Sequence, residues 1–197
     1  MAPLARGQNA RLGADRGRKR AYLLDLYRTI LELIDLRSFS NLWYWIALAV
    51  TWSSVSHWVL GVPYDMIARA RRDQGQAELD LNDISRVNVN RLLYITQVSG
   101  IWILGFACFA LTGLVILGFW YNVEFAQAVF LLAFPMSMVF LLNLFTARLI
   151  DREAAEGELL YKRLSRLRLY TQMIGMVSIF VTALWGMLQN LLIGALG

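Results

Sequence analysis

The sequence contains a single cysteine, Cys108, and a single histidine, His57. One cysteine cannot form a disulfide or a thiolate metal cluster within one chain. One histidine excludes a haem held by two histidines of the same chain. P-loop, HExxH and nucleophile-elbow motifs are absent as well. The sequence therefore favours a protein without enzymatic activity and predicts no bound cofactor.

Charged residues are missing from four long stretches of the chain. The four uncharged stretches lie between Arg37 and Asp65, between Arg91 and Glu124, between Glu124 and Arg148, and after Arg168. A bilayer core of about 30 Å needs roughly 20 residues of helix. The sequence predicts an all-α integral membrane bundle of four transmembrane helices, near residues 42–62, 97–121, 125–147 and 170–195. Aromatic residues border each predicted span, as is typical of membrane interfaces.

The N-terminal region differs from the rest of the chain. Residues 1–20 are basic, lack a long apolar run and are predicted to be a disordered tail or a miscalled start. Residues 21–197 form the predicted single helical membrane domain. Within it, residues 22–36 place apolar side chains at helical spacing, which predicts an N-terminal amphipathic helix on the membrane surface.

Small and polar residues recur on single helical faces of two predicted spans. The fourth span has Thr171, Gly175, Ser178, Thr182, Gly186 and Gln189, and the second has Gly105, Cys108, Thr112 and Gly113. Such faces let helix backbones approach closely. We also expect a kink at Pro135, a tight connection at residues 122–124, and two helical extensions that meet at Gly157.

The basic residues predict the orientation. Lys and Arg number eight before the first span, five in the loop 63–91, none in the second loop, six in the loop 148–168 and none at the C-terminus. Because basic loops stay in the cytoplasm, loops 63–91 and 148–168 are predicted to be cytoplasmic and the C-terminus periplasmic. Two solutions remain open: four full spans, or a first apolar block that dips into the bilayer and returns.

Ser53, Ser56 and His57 would share one face of the first predicted helix. The simplest interpretation is that this face packs against the other spans, because polar groups in lipid favour bundle interiors. The alternatives make His57 a quinone contact, a proton carrier or an axial ligand of a pigment or haem.

Arg69, Arg71 and Arg72 form the most basic run of the first loop. Because the cationic residues lie between apolar blocks, we expect them to contact anionic lipid headgroups, not nucleic acid. The predicted partners are therefore the lipid bilayer together with other membrane subunits or a second copy of the chain.

The run LIDLRSFSNLWYWIALAVTWSSVSHWVLGVPYDM, residues 33–66, resembles a family of uncharacterised alphaproteobacterial inner-membrane proteins. The resemblance implies a multi-pass protein of the bacterial inner membrane, whose chain would begin near the position of Tyr22. Members sometimes carry the label of a component of the Suf iron–sulfur assembly complex. Cys108, alone in a predicted span, gives that label no support.

Two functional hypotheses remain. The first is a non-enzymatic accessory or scaffold subunit of a larger membrane complex. The second is a small transport or redox-accessory protein that uses the polar face around His57. A visible absorption band or co-purifying quinone would favour the second.

Overall fold

A computed structural model describes Phe39 and residues 41–196, with side-chain surroundings described through residue 191. The predicted tail 1–20 and the predicted amphipathic helix lie outside these residues. The described elements, in chain order, are α1 (Leu42–His57), β1 (Trp58–Val59), β2 (Val62–Pro63), α2 (Tyr64–Asp73), α3 (Gln76–Val115), a π-helical turn (Ile116–Trp120), α4 (Glu124–Glu153) and α5 (Gly157–Leu196). The described part of the chain is thus all-α apart from one hairpin of two two-residue strands.

Three described helices are long and apolar enough to cross a membrane. They are Gln76–Trp120, Glu124–Glu153 and Gly157–Leu191, and they match the predicted second, third and fourth spans. The helices α3 and α5 contain 40 residues each, which corresponds to about 60 Å. A bilayer core is about 30 Å thick, so roughly half of each helix extends beyond it.

The first predicted helical span, 42–62, is wrong after His57. The Asn41 side chain accepts a hydrogen bond from the Trp43 N–H at 3.0 Å and so caps the start of α1. The helix ends at His57, where the chain enters the β1–β2 hairpin. Leu60 and Gly61 form its turn with φ of 53° and 75°, the left-handed pair that two-residue hairpins require.

The hairpin, α2, and the adjoining parts of α3, α4 and α5 share one apolar core. We call this end of the bundle the basic cap, because Lys and Arg side chains surround the core. Its buried members are Val59, Leu60, Val62, Ile67, Ala70, Leu81, Val89, Ala147, Ile150, Ala155, Leu160, Tyr161, Leu164 and Leu167. Loops 63–91 and 148–168 therefore lie at the same end of the bundle. The two helical extensions meet at Gly157 as predicted. A Cβ there would come within 2.7 Å of a Glu78 carboxylate oxygen.

The opposite end of the bundle, which we call the turn end, joins α3 to α4. In the π-helical turn the Tyr121 N–H donates to the Ile116 carbonyl at 3.1 Å, and Asn122 has a φ of 54°. Asparagine tolerates this left-handed conformation better than most residues. The predicted tight antiparallel connection is confirmed. Gly118 has no room for a side chain, because a Cβ there would lie 3.0 Å from the Gln127 backbone nitrogen.

Gln127 links three elements at the turn end, although only 2% of it is exposed. Its Nε2 donates to the Gly118 carbonyl at 2.8 Å. Its Oε1 accepts from Trp185 Nε1 and from Gln189 Nε2, both at 2.9 Å. One amide thus satisfies a helix-end carbonyl and two donors from α5. This arrangement removes the cost of leaving those groups unpaired in an apolar surrounding.

Pro135 lies inside α4, where its missing N–H leaves the carbonyl four residues earlier without its helical donor. That carbonyl belongs to Leu131, and the Ser178 hydroxyl of α5 donates to it at 3.4 Å. A neighbouring helix thus offers a long hydrogen bond to the carbonyl that the proline leaves without its helical donor.

Phe39 and the helix α1 lie in notches on α5 that glycines create. A Cβ on Gly175 would come within 2.7 Å of the Trp52 ring, and one on Gly186 would come within 3.2 Å of Phe39. Both glycines belong to the small-and-polar stripe predicted for the fourth span. The other members Thr171, Ser178 and Thr182 are buried as well. The predicted stripe of close helix contact is confirmed.

Replacing Gln127 with leucine tests whether this amide holds the turn end together. We expect Gln127→Leu to lower the free energy of unfolding by about 2–4 kcal/mol, because three interhelical or helix-end hydrogen bonds are lost. The measurement is a melt in detergent followed by circular dichroism. Gln97→Leu is the matched control, since Gln97 is exposed on α3 and should tolerate leucine. Equal effects of both substitutions would contradict the role of Gln127.

Candidate functional site

The structure does not bring Ser53, Ser56 and His57 into contact with the other described helices as a group. Ser53 and His57 are exposed, and Ser56 is half-buried. His57 makes a ring contact with its neighbour Trp58, with centroids 6.0 Å apart. The buried face of α1 carries Leu48 and Trp52 instead, because the glycine notches of α5 accept large side chains. Whether the Ser53–His57 face meets a ligand or a partner stays a prediction.

The predicted headgroup contacts, Arg69, Arg71 and Arg72, are exposed on α2 in the basic cap. Arg72 Nε lies 2.9 Å from an Asp73 carboxylate oxygen. This hydrogen bond and the positive charge lower the pKa of Asp73 below its ordinary value, so the carboxylate stays ionised beside the arginine. Arg69 and Arg71 form no ion pair with a described residue and are the freer cations of the three.

The second predicted stripe of small residues, on α3, has no neighbour in the described structure. Gly105, Cys108 and Thr112 are exposed, and a Cβ on Gly105 would meet nothing within 4 Å. Large apolar side chains stand beside the stripe on the same stretch of α3, with exposed fractions of 79% for Trp102 and 77% for Phe109. None of the most apolar window of this helix is buried, against 28% of the corresponding window in α5.

This exposed stretch of α3 is the candidate functional site, and we call it the open face of α3. It combines a narrow strip without bulky side chains and flanking aromatic rings. The strip lets a second helix approach closely, and the rings supply van der Waals contact area. The arrangement can bind another transmembrane helix. The chain contains no second stretch of this kind among the described residues, because the stripe on α5 is already covered by α1.

Sequence reasoning missed Gln127, although an amide in an otherwise apolar span is a visible signal. It also missed Asn88, which donates to the Gly61 carbonyl at 3.2 Å and ties the hairpin to α3. Within residues 39 and 41–196, no three His, Cys, Asp or Glu side chains come close enough together to hold a metal ion.

Comparison with known proteins found no matching family model, no matching curated protein and no matching solved structure.

His57 is the residue at which the ligand and structural interpretations differ most. Because its side chain is exposed, we expect His57→Gln and His57→Leu each to change the free energy of unfolding by less than about 0.5 kcal/mol. The measurement is the melting temperature of the purified protein in detergent, with its absorption spectrum and quinone content. A normal melt accompanied by loss of a visible band or of bound quinone in His57→Gln would establish the ligand role.

Proposed function

We propose that the protein is a non-enzymatic accessory or scaffold subunit of a larger membrane complex, and that the open face of α3 binds a transmembrane helix of its partner. The single observation that carries this proposal is the contrast between the two small-residue stripes. The stripe of α5 receives Trp52 and Phe39, whereas a Cβ on Gly105 in the stripe of α3 would meet no described atom within 4 Å.

Lipid alone would suit a face of long apolar side chains equally well. A strip that runs through Gly105, Cys108 and Thr112 adds little contact with lipid, but it allows two helix backbones to approach closely. In this chain the equivalent strip on α5 already accepts another helix, α1. We therefore assign the open face of α3 to a helix from another subunit.

The proposed architecture has four crossings, with α1 as the first. At the turn end, the Phe39 N–H donates to a Glu124 carboxylate oxygen at 2.8 Å, and the Tyr44 hydroxyl donates to the Ala128 carbonyl at 3.2 Å. At the other end, the hairpin that follows α1 belongs to the core of the basic cap. Contacts at both ends of the bundle support a crossing over a dip that returns to the same side.

The length of α1 agrees with a crossing. Its 16 residues correspond to about 24 Å, and the two extended residues of β1 add about 6 Å. The sum is close to the thickness of a bilayer core.

The proposed location is the bacterial inner membrane, with the basic cap in the cytoplasm and the turn end in the periplasm. All eleven Lys and Arg residues after Arg37 lie in loops 63–91 and 148–168, five in the first and six in the second. Residues 115–128 contain no cation. The positive-inside rule favours this orientation, and the resemblance of residues 33–66 favours the inner membrane.

The partner-binding role predicts a complex that depends on the small strip. The protein is extracted in mild detergent from its native membranes and its size is measured by size-exclusion chromatography. It should migrate well above the size expected for one 22.5 kDa chain in a detergent micelle. Gly105→Leu should return it to the size of the single chain, because leucine separates the helix backbones. Ala183→Leu is the control, since Ala183 is exposed on α5 away from the strip. An unchanged size with Gly105→Leu would contradict the proposal.

Cysteine labelling tests the four crossings. In a Cys108→Ser background, single cysteines replace Leu42 at the start of α1, Tyr121 at the turn end and Leu79 in the basic cap, all of which are exposed. Spheroplasts are treated with a membrane-impermeant maleimide. We expect Leu42→Cys and Tyr121→Cys to react before lysis and Leu79→Cys only afterwards. Reaction of Leu42→Cys only after lysis, together with Leu79→Cys, would show that α1 does not cross.

A further inference from the structure

A lateral cleft of about 610 Å³ separates α1 from α3 at the level where the basic cap meets the apolar part of the bundle. It exists because α1 packs on α4 and α5 through Leu48 and Trp52 and makes few contacts with α3. Exposed Ser54 and Trp58 stand at its edge. The cleft is therefore open to whatever surrounds the helices at that depth.

The walls of the cleft change from polar to apolar in the same direction. On α3, which runs away from the cap, Asn88 and Arg91 come before Ile95. On α4, which runs toward the cap, Phe140 comes before Asn143. Both helices thus place polar groups at the cap end and apolar side chains deeper. An amphiphile with its polar group at the membrane boundary has this same order.

Arg91 supplies the one cation among the described residues that line the cleft. Arg72, Arg86, Lys162 and Arg163 each pair with a carboxylate. Arg91, by contrast, is exposed and makes no ion pair with any described residue. It is also the last charged residue before the uncharged stretch that ends at Glu124. A guanidinium at this position matches a phosphate, which it can bind through two parallel hydrogen bonds.

Two amides accompany the guanidinium. Asn88 Nδ2 donates to the Gly61 carbonyl at 3.2 Å, and Asn143 Nδ2 donates to the Val139 carbonyl at 2.8 Å. Neither amide oxygen accepts a hydrogen bond from a described residue. They can accept from hydroxyl groups. A phosphate beside hydroxyl groups is the headgroup chemistry of a phosphatidylglycerol-type lipid.

We propose that this cleft binds one anionic glycerophospholipid of the phosphatidylglycerol type. Its phosphate lies on Arg91, its headgroup hydroxyls lie near Asn88 and Asn143, and one acyl chain follows Ile95 and Phe140. The proposal depends on the cap end lying at a membrane boundary and not on the accessory role of the open face of α3. Charge decides against an uncharged amphiphile such as a quinone, which offers Arg91 no negative group.

The test uses the full-length protein in detergent and native mass spectrometry. Phosphatidylglycerol and phosphatidylcholine with identical acyl chains are added in equal amounts, and bound lipid is counted. We expect one retained phosphatidylglycerol and at least about a tenfold preference over phosphatidylcholine, because the trimethylammonium of phosphatidylcholine offsets the charge of its phosphate and its headgroup offers no hydroxyl to the two amides. Arg91→Gln should remove the preference, and Arg91→Lys should keep part of it. Arg86→Gln is the matched control, because Arg86 lies on the same helix outside the cleft and should leave the preference unchanged.

A second variant tests the apolar part of the cleft. Ser54→Phe places a ring where the acyl chain would lie, so we expect it to release the retained phosphatidylglycerol while the melt stays normal. Equal retention of both lipids by the wild type would mean general membrane solvation only and would overturn the proposal. The same holds if Arg91→Gln keeps the preference, or if a quinone added in equal amount displaces the lipid.

Discussion

The packing of the helices depends on hydrogen-bond partners for buried backbone carbonyls and side-chain amides. The Gln127 side chain is the clearest case. An α-helix leaves its last carbonyls without donors, and the π-helical turn that continues α3 buries Gly118. The π-helical turn uses some of them internally, and the Gly118 carbonyl takes its donor from Gln127. Because Oε1 of the same amide accepts from Trp185 and Gln189, α3, α4 and α5 are held in one register at the turn end.

The same constraint operates midway along the bundle. Pro135 frees the Leu131 carbonyl, and Ser178 from α5 supplies the missing donor. The seam that carries Ser178 also carries the glycines that receive α1. One stripe of α5 therefore carries both the hydroxyl that donates to a backbone carbonyl and the glycines that let α1 approach closely. In lipid this combination replaces the hydrophobic driving force that packs helices in water.

The long helices were predictable because a stretch without charge and of sufficient length has few alternatives in a membrane. The end of α1 was not, because a turn with Leu60 at positive φ is disfavoured locally and is held by contacts with Asn88 and the cap core. Gln127 was visible as a polar residue, but Trp185 and Gln189 lie 58 and 62 positions away, so its partners could not be read from spacing. The buried face of α1 could not be read from its own sequence either, because glycine notches on another helix receive Trp52.

The two ends of the bundle differ in charge and in packing, and this difference connects the two proposals. Residues 115–128 at the turn end contain one carboxylate, Glu124, which accepts from the Phe39 backbone N–H. The basic cap has an apolar core of its own and surrounds it with every cation after Arg37. The cap core packs one end of α3 against α2, α4 and α5, whereas the most apolar window of α3 has no buried residue. The two proposals therefore use different sides of α3: the open face for a partner helix, and Arg91, which lines the cleft, for a lipid phosphate.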